Sequence, residues 1–228
     1  MSTFNIIQLI AIWIVPVLLA ITVHETAHGW VAAKLGDSTA SMLGRLTLNP
    51  FKHIDPFGTI ILPALMITFA GVAIGYAKPV PVNWKNLRNP KRDMAIVAAA
   101  GPLVNLLMAI GWALLIRLGL ALGDSGVALV FMSVAGIFIN IILMVINMVP
   151  LPPLDGGRVA TGLLPAPWAY RLARLEPYGF FILIALLMTG VLGWLIAPLI
   201  EFFITVFTSM SGLETYQIMR VFRALMGQ

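Results

Sequence analysis

Apolar positions in this chain gather into long runs at about 4–33, 58–77, 94–118, 127–149 and 178–208, and the charged residues fall mostly between them. A helix rises about 1.5 Å per residue and the hydrocarbon core of a bilayer is about 30 Å thick, so about 20 apolar residues suffice to cross it. The pattern predicts an all-α, polytopic helical membrane protein. It has about four full spans, a re-entrant or interfacial apolar segment, and a short extended edge segment.

The punctuation between the runs sharpens this picture. The first run, about Phe4 to Ala33, contains Pro16 and has no charged residue except Glu25; Lys34 and Gly36 end it. Asp37 to Asp55, with Arg45, Lys52 and the turn signal Asn49-Pro50, reads as a polar surface loop. The 58–77 run is interrupted by Pro63, Gly71 and Gly75 and leads into Lys78-Pro79-Val80-Pro81-Val82, whose prolines suit an exposed edge. The spans expected next are Met94 to Leu118 and Val127 to Val149, then Tyr178 to about Leu195, where Pro198 and Glu201 interrupt the apolar run. Leu213 to Met226 reads as an amphipathic interfacial helix carrying Arg220 and Arg223.

Composition agrees and narrows the class. With 60% apolar residues the chain is no ordinary soluble protein, and 228 residues fit one domain, here a core at 4–158 followed by C-terminal helices at 178–228. The net charge of +5 would suit a nucleic-acid partner, but excess Lys and Arg in membrane proteins mark cytoplasmic loops. Lys78, Lys85, Arg88, Lys91 and Arg92 form the strongest such signal, so the expected surroundings are membrane lipid and no nucleic acid is expected to bind. The absence of cysteine excludes disulfides and thiolate ligands, so any metal site must use nitrogen and oxygen.

The first run carries the chemistry. His24-Glu25-Thr26-Ala27-His28 is an H-E-x-x-H pentapeptide, and residues four apart on a helix share a face, so its two imidazoles can grip one zinc ion. Glu25 is then placed to act on a water at the metal as general base. Ionisable groups inside a span cost about 2.5 to 3.5 kcal/mol each near its centre and are functional by default. The remaining histidine, His53, reads as a plain loop residue.

A second landmark closes the 127–149 run. In Pro150-Leu151-Pro152-Pro153-Leu154-Asp155-Gly156-Gly157-Arg158 the prolines forbid further helix, and unwound backbone near membrane depth is tolerated only where protein buries it or where it lines a wet cavity. Asp-Gly-Gly by itself is a tight turn. Catalytic zinc usually takes three protein ligands and keeps one position for water, which makes Asp155 the candidate third ligand. Within the other spans, the small-residue patch Ala98-Ala99-Ala100-Gly101-Pro102 lets another helix approach closely, and Asn105 reads as helix-to-helix glue.

One metal reaching both landmarks also constrains topology. The first span and the 127–149 span must run in one direction and the 94–118 span in the other, so 58–77 returns to the side it left. Lys34, Arg45, Lys52, the five basic residues at 78–92, Arg158, Arg171 and Arg174 then share the cytoplasmic face. This puts the metal in the cytoplasmic half of a cell membrane.

These residues resemble the site-2 proteases, the intramembrane zinc metalloproteases. The resemblance rests on H-E-x-x-H at 24–28, the small-residue stretch from Ala99 through Gly101 and Pro102 to Asn105, and the run Asn147, Pro150, Leu154, Asp155 and Gly156. It implies a compact prokaryotic member without a PDZ or CBS domain, cleaving within or near transmembrane segments in regulated intramembrane proteolysis. By the same resemblance His24, His28 and Asp155 are the Zn2+ ligands, Glu25 is the catalytic acid and base, and Asn147 lies near the substrate carbonyl. Transmembrane protein substrates would have to unwind to expose their carbonyls, pairing with the edge around Val80 and Val82 as an added strand. The alternative from another class is a transporter or channel whose polar pathway is lined by Asn105, Asn140, Asn147 and Asp155. Neither reading specifies the substrate or the oligomeric state.

Overall fold

The computed structural model describes residues 4–70 and 75–227, so Gly71 lies outside the described residues. Among the described residues ten α-helices follow in order: α1 Ile6–Lys34, α2 Thr39–Met42, α3 Leu62–Ala70, α4 Pro90–Ala121, α5 Val127–Asn147, α6 Asp155–Leu163, α7 Ala166–Ala173, α8 Glu176–Met188, α9 Val191–Ser211 and α10 Thr215–Leu225. Among the described residues there is no strand. Among these residues four helical stretches are long and apolar enough to cross a membrane, Ile6–Lys34, Pro90–Ala121, Gly123–Asn147 and Val191–Ser211.

The fourth of these departs from the sequence expectation. The helix that begins near Tyr178 stops at Met188, and Gly190, at φ +75°, turns the chain before α9 begins. A positive φ is a conformation that glycine adopts without a β-carbon penalty. The fourth span is therefore α9, with Pro198 inside it and Glu201 on it. Proline is tolerated in a membrane helix because local adjustments can satisfy the backbone groups it frees.

The chain divides into two compact units. One comprises Met1–Ala20, Pro102–Ile146 and Trp194–Gln228; the other comprises Ile21–Gly101 and Asn147–Gly193.

In the first unit α1 and α5 run the same way and α4 runs against them. Phe4 meets Phe131 edge to face at 4.8 Å, while the Asn105 amide donates both to the Ala20 carbonyl at 3.4 Å and to Asn140 Oδ1 at 2.7 Å. Asn140 in turn donates to the Gly136 carbonyl at 2.8 Å. Both asparagines are fully buried, so they tie helices together and do not line a wet pathway. The apolar face of α10 is covered as well: Phe222 stacks on Phe138 with ring centroids 3.6 Å apart and meets Trp13, and Ile218 and Leu225 are buried. This helix packs on its own bundle, in contrast to the freely interfacial helix that its amphipathic pattern suggested.

The second unit carries the connection that follows α1. A π-helical turn, Pro56–Ile61, runs directly into α3. The apolar insert then returns to its own start: the Tyr76 amide donates to the Gly58 carbonyl at 2.9 Å, and Thr59 Oγ1 donates to the Tyr76 carbonyl at 3.0 Å. These bonds bring the two ends of the insert together. Beyond it, Asp37 accepts from the Asn83 amide at 2.7 Å and from Asn86 Nδ2 at 2.9 Å, which joins the end of α1 to the segment that leads into α4.

Candidate metal centre

The site is built where the C-terminal part of α1, the first turns of α4 and the first turn of α6 meet. His24 and His28 lie one turn apart on α1. Nδ1 of His28 donates to the Val97 carbonyl of α4 at 2.7 Å, which fixes the tautomer and leaves Nε2 with a lone pair. That Nε2 lies 3.1 Å from Nε2 of His24, and the two nitrogens lie 3.3 and 3.2 Å from Oδ2 of Asp155.

Asp155 reaches this point because of how the proline loop ends. It is the first residue of α6, so Asp155-Gly156-Gly157 forms a helical first turn and not the tight turn that Asp-Gly-Gly suggests in isolation. A β-carbon on Gly156 would lie 2.3 Å from the Met148 carbonyl oxygen, and one on Gly157 would lie 2.2 Å from the Pro152 nitrogen. The loop can fold this tightly onto α6 only because both positions lack side chains.

The three donor atoms fit a zinc ion. Ligands at about 2.0 to 2.1 Å in tetrahedral geometry lie about 3.3 Å from one another, which matches the triangle observed. A carboxylate oxygen and an imidazole lone pair directed at one point repel unless a cation stands between them. Among the described residues, His24, His28 and Asp155 are the one group of His, Asp and Glu side chains able to hold a metal. Three nitrogen and oxygen ligands with a fourth position open is the arrangement of catalytic zinc.

α4 approaches this triangle closely. A β-carbon on Gly101 would lie 2.4 Å from Nε2 of His28 and 2.5 Å from Nε2 of His24. The small-residue patch read from the sequence is therefore the wall of the donor triangle.

Around the triangle, Glu25 Oε2 accepts from the Val80 amide at 2.8 Å. Thr26 Oγ1 donates to the Thr47 carbonyl at 2.9 Å, and His53 Nε2 donates to the same oxygen at 2.9 Å. His53 is 2% exposed and stands outside the donor triangle, so it is no surface-loop residue. The 37–55 loop is seated against the motif helix through Thr47. Asn147 is the last residue of α5, half-buried, at the start of the loop that ends in Asp155. Two groups escaped the sequence reading altogether. The Val97 carbonyl and the Val80 amide are backbone atoms, and no residue type announces them.

Residues 12–127 match the profile of Peptidase family M50. The chain is 38% identical over 195 residues to "Putative zinc metalloprotease YwhC" of Bacillus subtilis (strain 168), covering 82% of this chain and 85% of that one. It is 31% identical over 201 residues to "Putative zinc metalloprotease Rip2" of Mycolicibacterium smegmatis, covering 87% and 73%. For the protein of the same name in Mycobacterium tuberculosis (strain H37Rv) the figures are 30% over 190 residues, covering 82% and 70%. No solved structure matches the chain. The histidine pair, its carboxylate and these likenesses agree: the chain belongs to peptidase family M50.

Proposed function

We propose that His24, His28 and Asp155 hold the zinc of this intramembrane metalloprotease, that Glu25 is its catalytic acid and base, and that Asn147 faces the substrate carbonyl. The observation that carries the reading is the convergence of two imidazole nitrogens and one carboxylate oxygen within 3.1 to 3.3 Å of each other.

Zinc, when bound there, supplies a Lewis acid that polarises the scissile carbonyl and acidifies the attacking water. The chain's own groups do the rest. Val97 holds the His28 ring in the tautomer whose Nε2 faces the site. Glu25, beside the first histidine, takes the proton of the attacking water and returns it to the leaving amine. The Asn147 amide donates to the oxygen on which charge develops. Residues 4–158 thus contain the whole of the chemistry.

Substrates are membrane proteins. We assign the cut to transmembrane segments of weak helix propensity, because a carbonyl held in a helix must first be released. Pairing of such a segment with the chain around Val80 is limited, since Pro79 and Pro81 lack an N–H and that of Val80 is engaged by Glu25. Added-strand contact is left to Val82 and beyond.

We assign the metal to the cytoplasmic half of a cell membrane. Support comes from the clustering of basic segments in one unit: Arg45 donates to the Lys78 carbonyl, Lys91 to the Leu164 carbonyl, and Arg158 lies over the Trp84 ring. The transporter reading loses its pathway, because Asn105 and Asn140 are buried against each other. Zinc analysis of the purified protein, with cleavage of a model transmembrane segment by wild type and Glu25→Gln, tests the assignment; zinc-free active protein, or an active Glu25→Gln, would overturn it.

A further inference from the structure

We infer that the backbone amide of Val80 is the positioning group for the catalytic base: it holds one oxygen of Glu25 so that the other faces the attacking water. The inference rests on the acid and base role proposed for Glu25.

The amide is singular in its surroundings. Between residues 79 and 81 it is the one N–H present, because both neighbours are proline. It points at Glu25 Oε2 from 2.8 Å. The side chain of Val80 seats on the same helix one turn further along, where a β-carbon on Gly29 would lie 2.8 Å from Val80 Cγ1. Val80 therefore grips α1 at two positions on one face, through the Glu25 carboxylate and over the bare backbone of Gly29. It is itself buried, at 7% exposure.

The strap that presents this amide is fixed along its length. The Lys78 amide donates to the His53 carbonyl at 2.9 Å, Arg45 donates to the Lys78 carbonyl at 3.1 Å, and the Asn83 amide donates to Asp37 at 2.7 Å. Pro81 restricts the backbone at Val80 to extended conformations before any contact forms, and Pro79 fixes its own φ beside it. A donor held in this way reduces the rotamers open to a glutamate side chain. A carboxylate has acceptor sites on both oxygens, so a bond at Oε2 leaves Oε1 for the water. The opposite reading, a latch that blocks the base and must open, predicts that loosening the strap speeds cleavage.

The test uses the full-length, zinc-loaded protein in detergent. Deuterium exchange of a peptide that spans 79–81 reads Val80 alone in that interval. The amide should exchange about tenfold or more faster in Glu25→Ala than in wild type, since a hydrogen-bonded amide must open before it exchanges. Equal rates would overturn the inference. In parallel, Val80→Pro removes the N–H while Val80→Ala keeps it. With zinc retained, kcat of Val80→Pro should be about tenfold below that of Val80→Ala, with KM similar, because an oriented base acts on the chemical step. A zinc-loaded Val80→Pro that cleaves as fast as Val80→Ala, or faster, would overturn it too. Should Val80→Pro fail to fold, the exchange comparison decides alone. An active Glu25→Gln would instead remove the role of Glu25, whatever the exchange shows.

Discussion

A β-carbon on Gly101 would stand 2.4 Å from Nε2 of His28, closer than any side chain can approach without displacing its neighbour. Gly101→Ala should therefore push α4 away from α1 and release most of the zinc. Gly111→Ala on the same helix is the control, because a β-carbon there meets nothing within 4 Å. Metal analysis of the two purified variants should find zinc retained in Gly111→Ala and largely lost in Gly101→Ala.

The ligand set is tested by its two outlying candidates. Asp155→Ala removes one vertex of the donor triangle and should lose most of the metal. His53→Ala should keep it, since that ring engages the Thr47 carbonyl. Zinc-to-protein ratios after dialysis separate the two, and a zinc-free His53→Ala would contradict the arrangement.

Chemistry and metal binding should come apart at Glu25 and Asn147. Glu25→Gln is nearly isosteric but cannot take a proton, so it should bind zinc and fail to cleave. Asn147→Ala should also keep zinc while losing about 10²-fold or more in kcat, the usual scale for one oxyanion donor. Cleavage of a model transmembrane segment, normalised to bound zinc, reads both.

Topology can be read with single cysteines in a chain that has none. Ser38→Cys and Lys85→Cys flank the Asp37 hydrogen bonds that join their two segments, so both should label from one side, the cytoplasmic one. Ser125→Cys, in the turn between α4 and α5, should label from the other. Labelling of positions 38 and 85 from opposite sides would exclude the closed insert.

Asp37 gives a pH dependence outside the membrane spans. Burial alone would raise its pKa, but hydrogen bonds from Thr39, Asn86 and Asn83 outweigh that and hold it below the ordinary 3.8. A carboxylate with a lowered folded-state pKa contributes stability that is fully present above the unfolded value and is lost as pH falls through the folded one. Asp37→Asn should thus melt at a lower temperature than wild type at pH 7, and the gap should narrow below pH 3.8. Thermal unfolding in detergent across that range checks it, and a gap independent of pH would rule out this role.

Some elements were legible at once and others were not. The runs at 4–33, 94–118 and 127–149 became α1, α4 and α5 because a span needs only length and apolarity, which are local properties. The last apolar run was ambiguous for the same reason. Hydropathy continues through Gly190, and only the positive φ adopted there separates α8 from α9. The amphipathic pattern of α10 was visible, but its partner was not: an apolar face looks the same whether lipid or Phe138 covers it.

By itself the sequence singled out the candidate metal chemistry of this protein, because two histidines at helical spacing, a glutamate between them, an aspartate beyond a proline-broken helix and no cysteine leave few other uses for those side chains. It also predicted the relative direction of three spans, which α1, α4 and α5 adopt in the first unit. Tertiary structure alone decided what surrounds the proposed ligands. Val97 orients His28 and Val80 holds Glu25 through backbone atoms that every residue possesses, so no side-chain identity could reveal them. Gly101 earns its place only when α4 lies against α1. Buried polar groups take whatever partner the fold brings near, and sequence specifies the group while packing specifies the partner.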